Sequence, residues 1–162
     1  MKTIDGGITW SSPITISESY AAYKIFRLDN GKLIVFFSPW DSLLKHYMVS
    51  FDDGLTWQSE NVATTEGVRD LFFLPNGTGY LKTGTNGLWS SQNIGDVYKT
   101  TDGGVSWTKI VGQINGSIIW FFDENIGYLQ DLIYGKGQIL YITRDGGTTW
   151  KEVLYPYDYL IK

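Results

Sequence analysis

The chain has 162 residues, no cysteine, 43 % hydrophobic and 19 % charged residues, and a net charge of −4. That length supports one domain with a sizeable core. The acidic balance argues against nonspecific binding to nucleic acid or an anionic membrane surface, and the lack of cysteine excludes disulfides and thiolate metal sites.

Aromatics reach 16 %, with 19 glycines against 4 prolines, a balance that favours strands joined by tight turns. The N-terminus, "MKTIDGGITW", has no apolar run of signal-peptide length. The longest apolar stretches, "LIVFF" (33–37) and "IIWFF" (118–122), are too short to span a bilayer.

One eight-residue pattern recurs along the chain. It reads "TIDGGITW" at 3–10, "SFDDGLTW" at 50–57, "TTDGGVSW" at 100–107 and "TRDGGTTW" at 143–150. All four follow Ser/Thr-x-Asp-x-Gly-x-Ser/Thr-Trp, with fixed residues Asp5, Gly7 and Trp10, then Asp52, Gly54 and Trp57, then Asp102, Gly104 and Trp107, then Asp145, Gly147 and Trp150. The segments between them repeat too. "YKIFRLDNGKLIVFF" (23–37), "GVRDLFFLPNGTGYL" (67–81) and "GSIIWFFDENIGYL" (116–129) each read as apolar strand, polar turn, apolar strand. Asn30-Gly31 and Asn76-Gly77 are favoured hairpin turns because both residues tolerate positive φ.

A third strand leads into each later box: "HYMVS" (46–50), "DVYKT" (96–100) and "ILYIT" (139–143). The box then turns the chain into a fourth strand near the tryptophan. One unit is therefore four short antiparallel strands, the period and content of a propeller blade. The units run approximately 1–15 (partial), 16–62, 63–112 and 113–155, with 156–162 starting a further strand or a tail.

The box suits a structural turn. Its aspartate accepts hydrogen bonds from nearby backbone N–H groups, its second glycine fits a left-handed position, and its tryptophan packs over the turn. A calcium loop would need a longer series of acidic ligands. Only Asp52-Asp53 pairs acids, and no glutamate follows at the required distance. No metal and no cofactor is expected.

These boxes resemble the Asp-box, or BNR repeat, of sialidases, xyloglucan-degrading glycosidases, sortilin-type receptors and photosystem II assembly-factor-like proteins. The "FF…N…GYL" spacing followed by the box is most similar to the assembly-factor-like propellers. The resemblance implies an all-β propeller of four-stranded antiparallel blades in which the box joins the third and fourth strands. It also implies a mainly non-catalytic binding or assembly role and an extracytoplasmic location. The chain supplies about three and a half blades, so an incomplete ring is expected, with open blade edges available for self-association.

The catalytic readings are thin. The resemblance to sialidases implies an arginine triad, but the chain has only Arg27, Arg69 and Arg144, the last inside a box. Arg69, near the start of an inner strand, is the one expected near the central channel, with a solvated strand end as its plain alternative. Glycosidases use two carboxylates, and no local spacing singles out a pair. Asp41, Asp70 and Asp131 fall near strand ends away from the boxes and are expected mainly as solvated loop acids. A single histidine, His46, supports neither a triad nor a metal cluster.

Trp40 and Trp89 occupy equivalent loops between second and third strands, 17 and 18 positions before their box tryptophans, and Tyr134 sits in the corresponding loop of the last unit. These loops share the rim opposite the boxes. Trp40, Asp41, Trp89, Asp131, Tyr134 and Arg69 form the candidate binding rim, either filling gaps between blades or holding an unknown protein or glycan ligand. The functional expectation is a non-enzymatic binding or assembly scaffold. The alternative is a fragment of a sialidase-like or xyloglucanase-like glycoside hydrolase with an incomplete active site.

Overall fold

A computed structural model describes residues 1–16, 22–37, 46–62, 64, 66–84, 93–133 and 137–153. The described residues form no helix. They form three four-stranded antiparallel sheets, each a consecutive meander. The first holds β1 (Ala22–Arg27), β2 (Leu33–Phe37), β3 (His46–Ser50) and β4 (Gln58–Asn61). The second holds β5 (Gly67–Phe73), β6 (Gly79–Gly84), β7 (Ile94–Thr100) and β8 (Thr108–Asn115). The third holds β9 (Ile118–Phe121), β10 (Gly127–Ile133), β11 (Gly137–Thr143) and β12 (Lys151–Val153). Among the described residues these sheets are three successive blades of a propeller.

Alternation along the strands sets which side chains enter which seam. Between the first and second blades, Ile34, Phe36 and Val49 pack against Val68, Leu71, Phe73 and Leu81. The other face of the second blade sends Phe72, Leu74, Tyr80 and Val97 against Ile119, Phe121 and Leu129 of the third. The second blade is covered on both faces, and every residue of β5 and β6 is buried. Each such large side chain contributes roughly 1.5–3 kcal/mol. The inner strands are also tied edge to edge. Phe26 of β1 meets Phe72 of β5 at 5.6 Å, and Phe72 meets Trp120 of β9 at 4.8 Å.

All four boxes share the same hydrogen-bond wiring around the aspartate. The first hydroxyl donates to the aspartate Oδ1 and accepts from the second glycine N–H, as Thr100 does for Asp102 (2.6 Å) and Gly104 (3.1 Å). The last Ser/Thr donates its backbone N–H to the same carboxylate and its hydroxyl to the other oxygen, as Ser106 does at 3.0 and 2.6 Å. Asp5, Asp52 and Asp145 repeat this set. The tryptophan closes the turn by donating Nε1–H to the second glycine carbonyl in Trp10, Trp57 and Trp150. At the third box Tyr47 of the neighbouring blade takes that carbonyl, Gly104 O, at 3.1 Å, and the buried Trp107 Nε1 is left without a partner. Trp57, Trp107 and Trp150 are half-buried against the seams, whereas Trp10 is 59 % exposed.

Two outcomes follow for stability. Gly7 and Gly104 share a left-handed φ of 93° and 92°, but a methyl at Gly7 meets nothing closer than 3.7 Å, while one at Gly104 would sit 2.2 Å from the Tyr47 hydroxyl. Gly7→Ala is therefore expected to cost about 1–2 kcal/mol of backbone strain. Gly104→Ala should cost about 1–3 kcal/mol more from overpacking; urea unfolding of both variants checks the difference.

The box hydrogen bonds hold Asp5, Asp52, Asp102 and Asp145 down at about 2. Depressed folded values favour the ionised form in the fold, so this stabilisation is full above about pH 4 and lost as pH falls towards 2. The melting temperature should drop across that window, and less steeply for Asp102→Asn than for the parent chain.

Candidate functional site

The boxes and the β1–β2, β5–β6 and β9–β10 turns share one rim, tied by Gly103 N to Gly77 O at 3.0 Å and Gly146 N to Asn125 O at 2.9 Å. An open depression of about 470 Å³ lies between the three turns, lined in part by Asp29, Asn76, Asp123 and Glu124. The acids on this rim are largely spent on local structure. The Asp123 carboxylate accepts from the Asn125 and Ile126 N–H groups, both at 2.7 Å, which lowers its pKa. The box carboxylates are each consumed by their own turn.

The opposite rim differs. In the first seam the apolar cluster continues to Val62 and Val68 at this end. In the second seam it stops, and charged and polar side chains take over. The ladder registers give the reason. Leu33, Gly79 and Gly127 start equivalent strands, so Phe36, Lys82 and Gln130 are equivalent, as are Phe37, Thr83 and Asp131. Phe36 faces the second blade, but its counterpart Lys82 faces the third. Asp131, in phase with Leu129, faces back towards it.

Arg69, Lys82, Asn93 and Asp131 are all 5 % exposed or less. Arg69 donates Nη2–H to Asn93 Oδ1 at 2.7 Å. Asn93 donates Nδ2–H to Ser117 Oγ at 2.6 Å and to Asp131 Oδ1 at 3.2 Å, and Ser117 donates to Asp131 Oδ1 at 2.8 Å. Lys82 Nζ donates to the carbonyls of Thr83 (2.6 Å) and Asn93 (3.4 Å). Burial pulls the Lys82 amine down to about 8, against the pull of Glu66, Asp131 and Asp96. Burial lowers Arg69 as well, opposed by Asp131. Two polar atoms of this network have no hydrogen-bond partner, Arg69 Nε and Asp131 Oδ2.

Nearer the ring axis Asp70 is spent on structure. One oxygen accepts from Leu71 N, the other from Lys24 Nζ of β1 (2.6 Å) and Ile119 N of β9 (2.8 Å), so a single carboxylate ties the inner strands of all three blades. Burial raises its pKa, with Lys24 and the two backbone N–H groups pulling the other way.

Several sequence expectations change. Asp70 and Asp131 are buried strand residues at blade seams, not solvated loop acids, and Arg69 is buried there too rather than a solvated strand end. Arg69 and Asp131 come together, while Arg27 and Arg144 are exposed and stand apart from that cluster. Trp40, Asp41, Trp89 and Tyr134 lie outside the described residues. Sequence reasoning missed Lys82, Asn93 and Ser117. A signal for Lys82 was present: it interrupts the apolar alternation at the register position held by Phe36 in the previous unit.

Residues 141–152 match the BNR/Asp-box repeat family model. No curated protein sequence matches the chain. Among solved structures, YCF48 bound to D1 peptide is similar at 17 % identity and a TM-score of 0.55, over 83 % of this chain and 45 % of that one. YCF48 from Cyanidioschyzon merolae gives 11 % identity and 0.55, over 82 % and 40 %. Penicillium chrysogenum alpha-L-arabinanase complexed with arabinobiose gives 22 % identity and 0.57, over 86 % and 52 %. The chain thus spans about half the length of these structures or less, and at these identities the likeness establishes the fold. With four boxes that share their aspartate wiring, three four-stranded blades and these likenesses, the chain carries Asp-box (BNR) repeats on a β-propeller fold.

Proposed function

We propose that this chain is a non-enzymatic binding scaffold that engages a protein partner through the rim opposite the Asp-boxes. The carrying observation is the polar half of the seam between the second and third blades. There Arg69, Asn93, Ser117 and Asp131 are fixed by mutual hydrogen bonds at a place where the neighbouring seam is apolar. Preorganised polar groups at the end of a rigid sheet are what recognition needs, because little ordering entropy remains to be lost on binding. The similarity to YCF48 bound to D1 peptide supports a peptide partner.

A glycoside hydrolase fragment is the second reading, favoured by the arabinanase likeness and by the buried carboxyl of Asp70, whose raised pKa is a property of general acids. Against it, both Asp70 oxygens are already occupied by Lys24 and two backbone N–H groups.

Selecting peptides from a displayed library on the immobilised chain tests the choice. Binders should lose at least about tenfold affinity to Arg69→Ala, a loss typical of a buried charged anchor, and none to Val105→Ser on the box rim. Binders indifferent to Arg69→Ala, or release of sugar from arabinan, xyloglucan or sialosides by the chain, would overturn the scaffold reading.

A further inference from the structure

The ladder registers make the three blades comparable position by position. Phe26, Phe72 and Trp120 pair with Ile34, Tyr80 and Tyr128, each the second residue of its blade's second strand. Leu28, Leu74 and Phe122 come two residues later, and each N–H closes the turn on an equivalent carbonyl, of Lys32, Thr78 and Ile126. On the first two blades these positions are covered by the blade that follows, leaving Leu28 and Leu74 buried. On the third blade Trp120 is 48 % and Phe122 66 % exposed. Tyr128, Leu140 and Ile142 lie on the same face, because Leu129 and Tyr141 beside them point into the seam with the second blade.

The first blade has the converse. Ile25, Leu71 and Ile119 pair with Val35, Leu81 and Leu129. Leu71 and Ile119 are fully buried in the seam with the preceding blade, whereas Ile25 is 66 % exposed. Inside each seam of the chain the two sets meet in one apolar cluster: Leu28 with Leu71, and Phe72 and Leu74 with Ile119. The ring positions correspond as well. Phe121 stacks on Tyr80 at 3.3 Å. The equivalent of Tyr80 on the third blade is Tyr128, and the equivalent of Phe121 on the first is the exposed Arg27. A guanidinium stacks on a tyrosine face as a ring does.

We infer that the exposed face of the third blade docks a second copy of this chain, which presents the Ile25 and Arg27 side of its first blade. Exposed aromatic side chains gathered in one patch mark an interaction site. The partner follows from the seams already formed, since the face that covers Leu28 and Leu74 carries an aliphatic residue at the Ile25 position. The two patches are unlike, so the contact is head to tail rather than two-fold symmetric. It does not draw on the rim-binding function proposed above, which stands or falls separately.

Light scattering on the full chain tests this with two variants, Phe122→Glu on one patch and Ile25→Glu on the other. Both side chains are two-thirds exposed, so each variant should keep the parent's far-ultraviolet circular dichroism. The parent should associate as its concentration rises. Each variant alone should lose at least about tenfold in affinity, the loss expected where a charge replaces a central interface side chain. Mixed in equal amounts, they should recover a dimer, because each retains the patch the other lacks. A parent that stays monomeric at its highest soluble concentration overturns the proposal, and deleting residues 154–162 then asks whether the chain's own end holds the face. Undiminished association of Ile25→Glu, which a symmetric contact between third blades would give, also overturns it. So does a mixture that remains monomeric.

Discussion

Everything in this molecule depends on a carboxylate that satisfies a turn. In each box one aspartate accepts hydrogen bonds from a hydroxyl on the incoming strand and from both the N–H and the hydroxyl of a Ser/Thr on the outgoing side. The turn's donors are thereby met by a side chain that travels with the turn. Because the wiring is local, it is the same whether the box is buried against a neighbour, as around Gly104, or exposed, as around Gly7. Register is inherited from it. Once Asp102 anchors the β7–β8 connection, the pairs Lys99 with Thr108 and Tyr98 with Lys109 follow, and the ladder shifts register only further from the box, from Val97 on.

That anchoring separates two rims with different jobs. On the box rim the aspartates are occupied, and the second glycines leave backbone carbonyls for tryptophans or, at Gly104, for Tyr47 of the preceding blade. Tyr47 shows how blades lock at this end: a side chain from one unit replaces the bond that another box makes within itself. The displaced Trp107 ring stays in the seam against Phe73 at 5.7 Å, keeping its packing while losing its hydrogen bond. On the far rim no repeated motif dictates the chemistry, and residues there are free to differ between units.

This division explains what could be read from the sequence. The boxes, the four-strand unit and the positions of β3, β7 and β11 were legible because a repeated local motif reports its own geometry. The near-invariant spacing around Asp52, Asp102 and Asp145 carries that information without any tertiary contact. Arg69 and Asp131 were visible as residues away from the boxes, but their meeting was not. They lie 62 positions apart in separate units, and what joins them is the packing of the third blade on the second, through Asn93 and Ser117. Solvated loops were expected for Asp70 and Asp131 because charged residues are seldom buried unpaired. Asp70 escapes that expectation through Lys24 and Ile119, partners supplied by the blades on either side.

The polar half of the second seam is hard to explain as a stabilising device. At the equivalent place in the first seam Phe36 is fully buried in an apolar cluster, an arrangement worth roughly 1.5–3 kcal/mol per side chain. Lys82 in its place is equally buried, and burying charged groups is costly unless each is well paired. The amine's pKa near 8 shows the direction of that cost. A lysine whose folded value lies below its unfolded one is penalised at neutral pH, and the penalty lifts only as pH rises from about 8 towards its ordinary value. Arg69 is disfavoured by burial in the same sense. A seam optimised for stability would repeat the Phe36 solution. This one gives up part of that gain and instead holds an arginine, a lysine and an aspartate in fixed positions near the rim opposite the boxes.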